Sequence, residues 1–102
     1  IDNKSSKLNI FKKSESVTIN ILSKNQELIS NNFAKKNPDW KNIEYVLLKN
    51  GNPIIKNCVS NLDCEIIDKI KKGDHIIFIC QVSQVINNNK LKPLIYYNSQ
   101  YI

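Results

Sequence analysis

The feature that most constrains this chain is an extended run from His75 to Ile86. Strict alternation places Ile76, Phe78, Cys80, Val82 and Ile86 on one face and His75, Ile77, Ile79 and Gln81 on the other. A period of two is the signature of a strand. Its first half is apolar on both sides, which predicts burial on both faces, as in the wall of a closed barrel with something packed outside it. A second run, Cys58 to Asp68, sets Cys58, Leu62, Cys64 and Ile66 against Asp63 and Glu65, and Lys71-Lys72-Gly73-Asp74 supplies the turn between the two. Ser16 to Leu22 alternates as well, with Val17, Ile19 and Ile21 opposite Thr18 and Asn20.

The remaining segments are shorter. Ser23-Lys24-Asn25-Gln26 reads as a capping box, in which Ser23 and Gln26 satisfy backbone N–H groups at a helix start. Leu28, Ile29 and Phe33 form the apolar stripe of a short helix ending near Ala34, and Asn37-Pro38-Asp39 stops it. Tyr45 to Leu48 is a short strand, Asn50-Gly51-Asn52-Pro53 a turn, Asn87-Asn88-Asn89 a hairpin turn, and Pro93 to Tyr97 a last strand near an edge. The fold class is mostly β with one or two short helices. At 102 residues there is room for one domain, residues 1–102, with no repeat or linker to divide it.

Charge and cysteines narrow the function classes. The net charge is +6, which raises a nucleic-acid partner. All fifteen basic residues are Lys, however, and none is the Arg that reads phosphate and guanine in a bidentate fork. The aromatic residues are few and do not interleave with Lys on one strand, so a nucleic-acid-binding barrel ranks last. The three cysteines, Cys58, Cys64 and Cys80, show no metal or redox spacing, and Cys64 and Cys80 read as small buried hydrophobes. No apolar run reaches the length of a membrane helix, and the first residues do not read as a signal peptide. The expectation is a cytoplasmic protein, and the absence of an initiator Met points to a piece or a processed product.

Several segments, in order, resemble the flavin reductase-like domain family, the small reductase components of two-component flavin monooxygenases. Val17 to Ser23 running into Gln26 to Ser30 and Phe33-Ala34 is similar to the family's strand ending in N-x-L-S and its following helix. Gly51-x-Pro53-Ile54-Ile55 resembles its G-x-P-L-L segment, and Leu62-x-Cys64 its L-x-C strand. Gly73-Asp74-His75 with Phe78 and Val82 is similar to its G-D-H hairpin, and Pro93 to Tyr97 with Tyr101 to its closing P-L-L-Y strand. Asp2 to Ser6 resembles the loop that reaches toward the flavin. Cys80 departs from the pattern, standing where the family usually has Gly.

The resemblance implies a split β-barrel of the FMN-binding type, incomplete at the N-terminus, with the chain as the C-terminal two-thirds of the domain. It implies an NAD(P)H:flavin oxidoreductase using FMN or FAD with NADH or NADPH, in a homodimer, with a separate flavin-dependent monooxygenase as the partner that would receive reduced flavin. Ser5 and Ser6 would face the flavin with Lys4 near its phosphate. Asp74 and His75 would place the nicotinamide, Tyr96 or Tyr97 would line the pocket, and Ser30 and Phe33 would border the dinucleotide. Residue by residue, plainer readings stand beside these: Gly73-Asp74 as a tight turn, His75 as a satisfied strand residue, Ser5 and Ser6 as a solvated loop, Trp40 as a packing anchor. The competing function is a non-catalytic flavin-binding or remnant protein.

Overall fold

The computed structural model describes residues 1–102. Its spine is a long antiparallel hairpin, which the sequence builds from two runs of β-favouring residues joined at Gly73. We label the elements in chain order as α1 (Leu8–Lys13), β1 (Ser16–Ile21), α2 (Glu27–Phe33), β2 (Tyr45–Leu47), β3 (Pro53–Ile55), β4 (Ser60–Lys72), β5 (His75–Asn87), β6 (Tyr96–Tyr97) and β7 (Gln100–Tyr101). The hairpin β4–β5 turns at Gly73, whose φ of +56° is the left-handed conformation that side chains avoid. β1 lies antiparallel on the other side of β4, giving a three-stranded sheet in the order β1-β4-β5. β2–β3 and β6–β7 are separate two-stranded hairpins, so the sheets do not close into a barrel within this chain.

Two register shifts reshape the central hairpin. Asp63 pairs with Gln84 but Cys64 with Val82, leaving Ser83 as an extra residue in β5. Ile66 pairs with Cys80 and Asp68 with Ile79, leaving Ile67 extra in β4. Each bulge changes the phase of the alternation. Leu62 opposes Val85 and Cys64 opposes Val82, so Val82 and Val85 share the face of Leu62 and Cys64. Ile86 opposes Asn61 and points the other way, which corrects the simple alternation.

The expectation of a strand buried on both sides is also corrected. Ile76 is buried and Phe78 and Cys80 are half-buried, but Ile77 and Ile79 on the opposite face are 45% and 41% exposed. Apolar residues on both faces here record a sheet whose outer side this chain does not cover. The buried apolar residues are Leu8, Ile54, Ile55, Cys58, Cys64 and Ile76.

A polar knot ties the small β2–β3 hairpin to the sheet. Asn61, itself buried, donates from Nδ2 to Asn20 Oδ1 (2.7 Å) and to the Ile55 carbonyl (3.1 Å). Asn20 Oδ1 also accepts from the Ile55 N–H (3.1 Å), and the Thr18 hydroxyl donates to the Pro53 carbonyl (2.7 Å). These bonds satisfy the first and last residues of β3 on its free side.

Three further elements add to the reading of the sequence or differ from it. α1 is a second helix, short, with Leu8 buried and Phe11 set 6.1 Å from Phe78, centroid to centroid. In α2 the stripe is narrower than expected: Ile29 and Phe33 are half-buried, whereas Leu28 is 82% exposed. Only half of the capping box forms, with Gln26 Oε1 accepting from the Ser23 N–H at 2.9 Å and no side-chain cap on the helix itself. At the C-terminus, Asn87 to Asn89 lead out of the sheet, Pro93 makes one bridge to Ser23, and strand structure is confined to Tyr96–Tyr97 and Gln100–Tyr101.

Candidate functional site

A cleft of about 830 Å³ opens between α1, the C-terminal half of α2 with the loop after it, β1 and the start of β3. Ser6, Lys7 and Phe11 face it from the α1 side, Ser30, Phe33, Lys36 and Trp40 from the α2 side. The two sides meet in one bond: Lys7 Nζ donates to the Phe33 carbonyl at 2.9 Å. That carbonyl lies in the last turn of α2, where carbonyls lack an intrahelical partner and the helix end attracts a cation. Phe33 packs edge-on against Trp40 (centroids 4.9 Å), and Trp40 against Tyr45 (4.8 Å). Trp40 is thus the packing anchor that its position after Pro38-Asp39 suggested, and it also forms part of the cleft wall. Lys7 and Lys36 line the cleft and no carboxylate does, so its electrostatics favour an anion.

A second, smaller hollow of about 340 Å³ adjoins it, sharing Phe11 and Val17 with the cleft. It is almost wholly apolar, with His75 as its polar residue beside Ile76, Ile77, Phe78 and Cys80. The N-terminus runs alongside β5 here. The Ile1 ammonium donates to the Ile76 carbonyl (2.9 Å), Ile76 N–H returns to the Ile1 carbonyl (2.8 Å), and Asn3 N–H donates to the Asp74 carbonyl (2.8 Å). His75 Nδ1 and Asp74 Oδ1 lie 2.7 Å apart. That hydrogen bond, followed by the charge of His75, holds the Asp74 carboxyl below the ordinary aspartate value.

The candidate residues named from the sequence divide between these places. Ser6, Ser30 and Phe33 line the cleft, and His75 lines the smaller hollow with Asp74 bonded to it at the surface. Ser5 and Lys4 belong to the turn that leads into α1: the Lys4 N–H bonds to Asp2 Oδ1, and Ser5 Oγ accepts from the Lys7 N–H. Tyr97 is 69% exposed, and neither it nor Tyr96 lines either hollow. The tyrosine that reaches the cleft wall is Tyr101, through a 2.8 Å contact with Ser30 Oγ. Asp2, Asp74 and His75 bring three ligand-type atoms within 4.8 Å of one another, all on exposed residues already bonded within the turn. Sequence reasoning gave no site role to Lys7, Lys36 or Tyr101, although Tyr101 stood in the closing motif. For Lys7 the local signal was Leu8 and Phe11 at i and i+3 followed by Lys12 and Lys13, a helix-end pattern that would have placed it at the N-cap of α1.

The chain matches the flavin reductase like domain over residues 1–102, and it belongs to that family. FMN reductase (NADH) RutF of Serratia proteamaculans (strain 568) is 30% identical over 95 residues, covering 90% of this chain and 54% of that protein. The nitrilotriacetate monooxygenase component B structure from Mycobacterium thermoresistibile is 26% identical and superposes with a TM-score of 0.88, over 99% of this chain and 58% of that one. NADH:FAD oxidoreductase SgcE6 of Streptomyces globisporus C-1027, solved with NAD and FAD fragments, superposes with a TM-score of 0.92 over 100% of this chain and 63% of that one. It is 20% identical, a likeness of fold. The fold is the split barrel of the flavin reductases, and the chain spans about half the length of the curated relatives it matches.

The cleft passes a chemical test for a flavin nucleotide. Such a ligand needs apolar walls for a flat ring, hydrogen-bond partners for the ring edge, and positive charge for phosphate. Phe11, Phe33 and Trp40 meet the first need, Ser6 and Ser30 the second, and Lys7 and Lys36 the third.

Proposed function

We propose that this chain carries the nucleotide-facing part of an NAD(P)H-dependent flavin reductase, which passes a hydride from nicotinamide to FMN or FAD. The observation that carries this reading is the aromatic, carboxylate-free cleft with Lys7 and Lys36 on its rim, joined to an apolar hollow that holds His75. When bound, flavin supplies the chemistry of a two-electron hydride acceptor. The chain's own work is then to bind, orient and exclude water. Lys7 and Lys36 hold phosphate, with Lys4, Ser5 and Ser6 at the same end. Phe33 and Trp40 supply the flat wall. His75, held in orientation by Asp74, offers a hydrogen bond at the mouth of the adjoining hollow, where nicotinamide is placed.

On this reading the protein works as a homodimer. The exposed Ile77 and Ile79 of β5 lie on the side of the sheet that this chain leaves uncovered, an apolar surface of the kind a second copy covers. A flavin-dependent monooxygenase is the receiver of the reduced flavin. A second reading, a flavin binder without turnover, is favoured by the sheets that stay open within this chain.

Oxidation of NADH and NADPH with added FMN or FAD tests the proposal. Flavin-dependent turnover supports the reductase. A folded protein that binds flavin without turnover supports the second reading, and one that binds no flavin contradicts both.

A further inference from the structure

Ser30 faces the cleft, and its hydroxyl has one protein partner, the Tyr101 hydroxyl at 2.8 Å. Tyr101 arrives from β7, 71 positions later in the chain, with its ring set edge-on against Tyr96 at 5.0 Å. A phenol has a single proton. Here it goes to Asn31 Oδ1, 3.0 Å away, an oxygen that can only accept. The bond between Tyr101 and Ser30 therefore runs the other way, with Ser30 donating its proton to the phenol oxygen. What Ser30 retains for the cleft is lone pairs.

We infer that Tyr101 fixes Ser30 as a hydrogen-bond acceptor in the cleft, and that Ser30 selects a ligand presenting an amide-type N–H there. The inference rests on the flavin reductase reading, which supplies two such groups: the imide N–H of the flavin ring and the carboxamide NH₂ of nicotinamide. Both are N–H donors beside a carbonyl, and a hydroxyl whose proton is committed elsewhere favours either over an analogue lacking that N–H. Tyr101 is a positioning residue in this scheme. In Tyr101→Phe the ring and its packing remain, but the Ser30 hydroxyl is free to rotate and to donate, so the selectivity falls.

The test is a set of dissociation constants on the full-length protein. FMN and 3-methyl-FMN are compared by quenching of flavin fluorescence, and NADH and its reduced 3-acetylpyridine analogue by equilibrium dialysis. The wild-type protein should bind the parent of one pair roughly five- to tenfold more tightly than its analogue, the size of one neutral hydrogen bond. Tyr101→Phe and Ser30→Ala should each bring that ratio close to one, and the pair that responds identifies the source of the N–H. Loosening of the fold weakens both members of a pair alike and leaves the ratio in place. Equal wild-type binding within both pairs, or a ratio that neither substitution moves, overturns the inference while the flavin reductase reading stands. If the wild-type protein binds neither FMN nor NADH, that reading fails and the inference fails with it.

Discussion

The ammonium of Lys7, just before α1, and the carbonyl of Phe33, in the last turn of α2, are joined at 2.9 Å across 26 positions of sequence. One bond thus sets the spacing of the two helices that flank the cleft. An ammonium has three donors, so Lys7 can hold this carbonyl and still serve an anion. Lys7→Met keeps the apolar stem and removes the charge. It should cost about 1 kcal/mol of stability and weaken FMN binding roughly tenfold, with a shallower salt dependence than wild type. Fluorescence titrations at two ionic strengths check both effects.

Asn61 is the buried centre of the knot that ties β3 to β1 and β4. Asn61→Ala leaves Asn20 Oδ1 and the buried Ile55 carbonyl each short of a donor. The expected loss is about 2–3 kcal/mol, read as a lower denaturation midpoint with an unchanged slope.

The pairing of Asp74 with His75 has a signed consequence in acid. The carboxyl is held below the ordinary aspartate value of 3.8, first by its hydrogen bond with His75 and then by the charge of that ring. A carboxyl with a lower value folded than unfolded adds stability above the unfolded value, and that stability is lost as pH falls through the folded one. In a carbon-detected NMR titration Asp74 should therefore have its midpoint below 3.8, and His75→Ala should move it up.

Thiol accessibility offers an independent check on the packing. Burial pushes the Cys58 thiol up against the opposing effect of hydrogen bonds with Asn61 and Gln26, and burial pushes the Cys64 thiol up as well. Cys80 is only half-buried. At neutral pH an alkylating reagent should label Cys80 first, with Cys58 and Cys64 reacting only as the protein opens. Mass spectrometry of a time course reads this order directly.

Much of the fold was legible because local alternation carried it. β1 was expected from Ser16 to Leu22 and runs from Ser16 to Ile21, and β5 was expected from His75 to Ile86 and runs from His75 to Asn87. The bulges at Ser83 and Ile67 were not legible, because a bulge depends on how two strands pair and not on either run alone. Nor was the exposure of Ile77 and Ile79, since an apolar side chain does not say what covers it. In the site, Ser6, Ser30, Phe33 and His75 were named from short motifs, and each lines one of the two hollows. Lys7 and Tyr101 act through contacts 26 and 71 residues away in sequence, a separation that residue spacing does not encode. Tyr96 or Tyr97 was expected to line the pocket, but the turn at Asn98 and Ser99, both at positive φ, sends the chain back so that Tyr101 meets α2 instead.

The most direct test of the central claim is anaerobic reduction of FMN or FAD by NADH, followed as bleaching of the flavin absorbance, with the wild-type protein and with His75→Ala. The account predicts that the wild-type protein accelerates bleaching well beyond free flavin and NADH, and that His75→Ala slows it roughly tenfold to a hundredfold through lost positioning. Bleaching no faster than in the protein-free mixture, from a folded protein at saturating flavin, would contradict it.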